Sequence, residues 1–77
     1  MTVEVELYAT LRKYGRSREG PFPVDLAEGD RVRRLIELLG IPLDVERVIL
    51  INGRPANLES ALEADDKVVI FPPVAGG

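Results

Sequence analysis

Only one stretch of this chain carries the repeat of an amphipathic helix longer than a turn or two. Val32, Leu35, Ile36 and Leu39 fall at i, i+3, i+4 and i+7, Gly40 offers a left-handed stop, and Pro42 forbids continuation. The turn Glu28-Gly29-Asp30 precedes it, and the Asp30 carboxylate is placed to accept orphan N–H groups of the first helical turn. The remaining apolar residues alternate with polar ones or come in short runs. A single helix must therefore be buried against a sheet.

The strands of that sheet can be read in order. Val3, Val5 and Leu7 alternate with Glu4, Glu6 and Tyr8, which predicts an N-terminal strand with one apolar face. Ala9 to Tyr14 suits a short helical turn ended by Gly15, and Arg16 to Gly20 is polar and loop-like. Phe22, Val24 and Leu26 alternate with Pro21, Pro23 and Asp25, and prolines confine this second strand to an edge. Val48 to Ile51 is an unbroken apolar run that meets Asn52-Gly53, a strong hairpin signal. Arg54-Pro55-Ala56 gives a short return, and Asn57 is placed to cap a turn of helix through Leu58 and Leu62. Asp65-Asp66-Lys67 then turns into Val68 to Phe71, a second apolar run. Both runs predict central strands.

This order packs most simply as an α+β domain, a mixed sheet with one main helix across one face, which is the β-grasp or ubiquitin-like arrangement. The expected organisation is a domain over residues 1–71 and an extended, flexible tail over 72–77. A helix of about ten residues, roughly 15 Å long, covers one sheet face only. Yet Val48 to Ile51 and Val68 to Phe71 are apolar on both faces. Either short loops or a partner must cover the second face. Arg31, Arg33 and Arg34 open the helix where its dipole disfavours cations by about 0.3 to 1 kcal/mol each, and read as a solvated face or a docking patch.

Composition then removes most chemistry. With 77 residues the chain forms one domain that must stand on its packing, because it has Cys 0 and His 0 and hence no disulfide or zinc staple. The same zeros exclude a thiol nucleophile, the usual general base and the usual metal ligands. Lys+Arg 10 against Asp+Glu 13 leaves a net charge of -3, which opposes binding to a phosphate backbone, so no nucleic-acid partner is expected. No stretch reaches the 18 or so apolar residues of a membrane span, and Met1 to Glu6 does not resemble a leader, so the expected location is cytoplasmic with no membrane partner.

The hydroxyls Thr2, Thr10, Ser17 and Ser60 sit in terminal, turn or loop settings with no histidine to activate them. Glu4 with Glu6 reads as solvated charge on a strand, and Asp65 with Asp66 as turn formers. No phosphate-cradling glycine spacing is present.

What remains is the tail, Pro72-Pro73-Val74-Ala75-Gly76-Gly77. Two prolines stop the sheet ladder and hold the chain extended. Beyond Phe71 the six residues span at most about 20 Å, and their side chains shrink until Gly76 and Gly77 have none. Such a segment fits a narrow tunnel, and a backbone without Cβ atoms approaches a ligand closely. The unusual functional group of the chain is the Gly77 carboxylate.

Phe71-Pro72-Pro73-Val74-Ala75-Gly76-Gly77 resembles the C-terminal signature of the MoaD and ThiS sulfur-carrier family, on its molybdopterin synthase small-subunit side. Tyr8-Ala9-Thr10-Leu11-Arg12 is similar to the segment after the family's first strand, and Gly29 through Leu35, Asn52-Gly53 and Asp66-Lys67-Val68 agree as well. One departure is Ala64-Asp65-Asp66, where the family has Asp-Gly-Asp, and it asks Asp65 to adopt a left-handed conformation.

The resemblance implies a sulfur carrier that is not an enzyme on its own and binds no cofactor. Its C-terminal glycine, Gly77, would be adenylated from ATP on a partner related to ubiquitin-activating enzymes (MoeB-like), the acyl-adenylate forming on that enzyme. The thiocarboxylate that follows would enter a MoaE-like large synthase subunit and donate sulfur to the pterin of the molybdenum or tungsten cofactor. A thiamine-type carrier and a ubiquitin-like protein modifier are the alternatives. The resemblance makes Gly76, Ala75, Val74, Pro73 and Pro72 tunnel residues, with Val74 an anchor at its mouth. It makes Phe71, Tyr8 and Arg12 partner contacts. Tyr8 lies on the strand face opposite Val3, Val5 and Leu7, whereas for Phe71 core and surface both remain open. On this reading Gly77 presents its carboxylate without processing.

Overall fold

The computed structural model describes residues 1–15 and 20–73. Five strands, β1 (Thr2–Leu7), β2 (Phe22–Asp25), β3 (Val48–Ile51), β4 (Arg54–Ala56) and β5 (Lys67–Phe71), and one α-helix, α1 (Val32–Leu39), build it. A 3₁₀ segment, Ala9–Tyr14, follows β1 and buries Leu11. The sheet runs β2-β1-β5-β3-β4. β1 and β5 pair in parallel at its centre, and β2, β3 and β4 join antiparallel. The mixed sheet with one helix, the edge position of β2 and the interior positions of β3 and β5 are as the sequence predicts.

Register explains which side is buried. Val5 pairs with Val68 and Leu7 with Ile70, while Ile49 pairs with Ile70 and Val3 with Val24. These residues share one face, and all of them are at least nine-tenths buried. Against that face α1 lays Val32, Leu35, Ile36 and Leu39, each buried, as its i, i+3, i+4, i+7 spacing requires. Leu35 and Ile36, fully enclosed, contribute about 2 kcal/mol each by removal from water. The helix stops where Gly40 takes φ 77°, and its N–H bonds back to Glu37 and Ile36 carbonyls. At the β3–β4 hairpin Asn52 and Gly53 both have positive φ, the turn that matches strand twist. The Asn52 amide then ties the hairpin to β5, donating to Asp66 Oδ1 and accepting from the Lys67 N–H.

Two local expectations are corrected. Asp30 does not cap α1: its carboxylate accepts from the Ala27 N–H at 2.9 Å, and Arg31 takes the N-cap position without a side-chain cap. Instead the Val32 and Arg33 N–H groups donate to the carbonyls of Ser60 and Leu58. Nor is there a helical turn from Asn57 to Leu62. Asn57 accepts from the Glu59 N–H and closes a tight turn, after which the chain crosses the helix start as a strap, bridging Arg31 to Ala61. The strap also explains the arginines. Arg33 grips the Glu59 carboxylate through Nε and Nη2, and Arg31 donates to the Glu59 carbonyl at 2.7 Å. The carboxylate that offsets the helix dipole comes from across the molecule.

Candidate functional site

Alternation puts the other half of each strand on the face away from α1. Val48 pairs with Phe71, Leu50 with Val69 and Pro55. None of these five is buried, and neither is Tyr8, which follows β1 and donates its N–H to the Ile70 carbonyl. The buried hydrophobic core lies entirely on the helix side, so the described residues leave this second face open. An apolar stripe thus runs from Pro55 through Leu50 and Val69 toward the Tyr8 and Phe71 end. Phe71 is half-buried at its surface rather than part of the core.

The tail begins at that same end. β5 stops at Phe71, Pro72 is half-buried and Pro73 exposed. The prolines end the ladder because they have no N–H to donate. Of the expected tunnel residues, Pro72 and Pro73 are described, while Val74, Ala75 and Gly76, and with them Gly77, whose carboxylate is expected to react, lie outside the described residues. Arg12 is exposed on the 3₁₀ segment that leads away from Tyr8. The Tyr8 hydroxyl is held above its ordinary pKa, first by its hydrogen bond to the Glu6 carboxylate, then by burial and the Glu6 charge, with Arg12 acting the other way. Tyr8 therefore stays a neutral aromatic with a polar tip, suited to an interface.

Three of the remaining candidates have structural partners, and Ser17 lies outside the described residues. Thr2 Oγ1 donates to Asp25, Ser60 Oγ accepts from the Asn57 N–H, and Asp66 accepts from the Glu63 N–H. Among the described residues no group of carboxylates could hold a metal ion, and no helix is long and apolar enough to cross a membrane.

Sequence reasoning singled out Tyr8, Arg12, Phe71 and the tail, and the structure gathers the described ones at one end of the open face. It did not single out Val48, Leu50, Pro55 and Val69. Their signal was the two-sided apolarity of the β3 and β5 runs. Which member of each run faces outward needs the register.

The comparisons fit this geometry. The chain is similar along 100% of its length, and 100% of the other, to the crystal structure of SAMP1 from Haloferax volcanii, at 28% identity and a TM-score of 0.78. It is similar at 29% identity and a TM-score of 0.76 to a Pyrococcus furiosus protein described as "Putative molybdopterin converting factor, subunit 1", with 95% of this chain and 98% of that one covered. It also shares the fold of a chain in the Helicobacter pylori complex of subunits 1 and 2 of molybdopterin-converting factor, at 23% identity, a TM-score of 0.66 and 100% coverage of both. No curated protein sequence matches it significantly. The ThiS family profile matches residues 5–77, from the first strand through the final glycine, and the chain belongs to the ThiS family.

Proposed function

We propose that this protein is a sulfur carrier for molybdopterin synthesis, its Gly77 carboxylate adenylated and then converted to a thiocarboxylate. The observation that carries the reading is the launch of a Pro-Pro-Val-Ala-Gly-Gly tail from β5 beside an open apolar face. A carboxylate is a poor electrophile, so another protein must activate it. A carboxylate oxygen attacks the α-phosphorus of ATP and pyrophosphate leaves. A sulfur nucleophile then attacks the acyl carbon and AMP leaves. The body contributes a surface to hold and a tail to insert. The ATP site belongs to a MoeB-like adenylyltransferase, and the pterin site to a MoaE-like subunit. The Pyrococcus likeness and the double proline favour the molybdenum or tungsten cofactor over thiamine.

The test is the intact mass of the protein isolated from its own cells: a fraction heavier by one sulfur-for-oxygen exchange at Gly77 is expected. Unmodified protein throughout, under sulfur-replete growth, defeats the reading. The likeness to SAMP1, a small archaeal modifier protein, favours a second reading in which Gly77 is joined to lysines of other proteins. A ladder of conjugates on immunoblots would select that one. Loss of molybdoenzyme activity on gene deletion, without a thiamine requirement, selects the first.

A further inference from the structure

Asn52 and Gly53 form the exposed tip of the β3–β4 hairpin. The pair is reactive as well as well suited to the turn. An asparagine amide carbon is open to attack by the backbone nitrogen of the next residue, and the five-membered ring closes most readily where that residue is glycine, with no Cβ to crowd it. Around Gly53 the space is open, since a Cβ placed there would meet nothing within 4 Å. The other side-chain amide of the chain, Asn57, is followed by the branched Leu58. In the fold the Asn52 amide is engaged at both ends. Its Nδ2 donates to Asp66 Oδ1 at 2.9 Å, and its Oδ1 accepts from the Lys67 N–H at 3.0 Å. The Asn52 N–H adds a bond to the Lys67 carbonyl at 2.8 Å. Ring closure requires the amide to turn and its carbon to become tetrahedral, so the side-chain bonds must loosen first.

We propose that Asn52 is a site of spontaneous, irreversible modification to aspartate or isoaspartate, and that its latch to Asp66 and Lys67 sets the rate. The Gly53 nitrogen, its proton passing to solvent, bonds to Asn52 Cγ. The Cγ–Nδ2 bond breaks, and the nitrogen takes up a proton and leaves as ammonia. Water then opens the cyclic imide at either carbonyl. One water is consumed, one ammonia is released, and nothing is oxidised or reduced. The product cannot rebuild the latch, because a carboxylate at this position has no hydrogen to give Asp66 and sets two like charges where a hydrogen bond stood. The site lies at the end of the β3–β5 pair away from the tail root, since Ile51 pairs with Val68 and Val48 with Phe71. Modification therefore weakens the body of the molecule and does not depend on the chemistry proposed for Gly77.

The test warms full-length protein at mildly alkaline pH, folded and in guanidinium chloride, and follows its intact mass. With Asn52 and Asn57 the two amide side chains of the chain, a gain equal to water minus ammonia comes from one of them, and peptide mapping says which. The expected result is conversion at Asn52, about tenfold slower folded than in denaturant, with Asp66→Ala recovering much of that factor while still folded. Equal rates folded and denatured overturn the proposal, as do an Asp66→Ala rate no faster than wild type, conversion confined to Asn57, or no conversion in denaturant. Asp66 also accepts from the Glu63 N–H, so a second pair of variants tests the latch without emptying that position. Asn52→Asp is expected to melt below wild type, and Asn52→Asp with Asp66→Asn, which exchanges donor and acceptor, to recover most of the loss. An Asn52→Asp protein that melts like wild type, or a double variant no better than the single one, overturns the latch.

Discussion

Ala9 has φ 54°, a left-handed conformation in which its Cβ crowds the backbone, and Asp65 has φ 68°. Glycine adopts this region freely. Ala9→Gly is expected to stabilise the protein by about 0.5 to 1 kcal/mol, the relief of strain exceeding the added freedom of the unfolded chain, and Asp65→Gly by less, because Asp tolerates the region better. Denaturant midpoints check the order, and a destabilised Ala9→Gly contradicts it. The Asp65 conformation was legible, since Ala64-Asp65-Asp66 stands where the resembling sequences turn on glycine. That of Ala9 was not, because nothing in Tyr8-Ala9-Thr10 demands it; it arises from joining the end of β1 to a 3₁₀ segment that must bury Leu11. Glu59 makes a third residue-scale point. Its pKa is lowered from 4.5, first by the hydrogen bond from Arg33 and then by the Arg33 charge. A depressed carboxylate stabilises the fold above its unfolded pKa and loses that contribution as pH falls through its folded one. Glu59→Gln should therefore flatten the acid side of the stability profile below about pH 4.5 and leave the slope near neutral pH unchanged. An unaltered acid limb in thermal melts would show that the strap gains nothing from this pair, as exposed pairs sometimes do.

At the scale of elements, strand existence was legible from alternation and from the Asn52-Gly53 turn, but strand order was not. β5 lies between β1 and β3, a long-range arrangement that no local window encodes. The segment 57–62 misled for a related reason. Leu58 and Leu62 have helical spacing, yet they pack as two separate insertions, Leu62 into the core and Leu58 at its border, while the backbone between them satisfies α1. The prolines, by contrast, could be read directly. The Leu26 N–H bonds inward to the Met1 carbonyl, so by alternation Pro21 and Pro23 hold the outward positions of the β2 edge, where they present no donors. Pro55 does the same in the middle of β4, at the other edge. Both edges of the sheet thereby lack donors at these positions, which disfavours strand addition and leaves a face or the tail as the better route for a partner. Restoring donors with Pro23→Thr plus Pro55→Thr is expected to lower stability by about 1 to 2 kcal/mol in total and to promote concentration-dependent association. A monomeric double variant in light scattering would mean that twist and charge, not proline, guard the edges.

For the whole molecule, the decisive fact is that, among the described residues, burial falls away as β5 gives way to the prolines. Ile70 is the last buried residue described, Phe71 and Pro72 are half-buried, and Pro73 is exposed. If the body is a handle and the carboxylate the working part, the two should separate cleanly under mutation. On that reading, deleting Gly77 is expected to leave the melting temperature and the denaturant midpoint unchanged while abolishing ATP–pyrophosphate exchange with the adenylyltransferase. Gly76→Val keeps the carboxylate but adds a branched side chain that restricts the backbone and widens the segment. It should also melt like wild type, yet slow exchange and sulfur transfer by a large factor if the tail is threaded through a narrow channel. The two variants fail in different ways. Continued exchange by the Gly77 deletion would remove the carboxylate from the chemistry, whereas full activity of Gly76→Val would leave the carboxylate in place and dismiss only the narrow channel. A fall in melting temperature on either change would place the tail in the fold, and the handle would then be more than a handle.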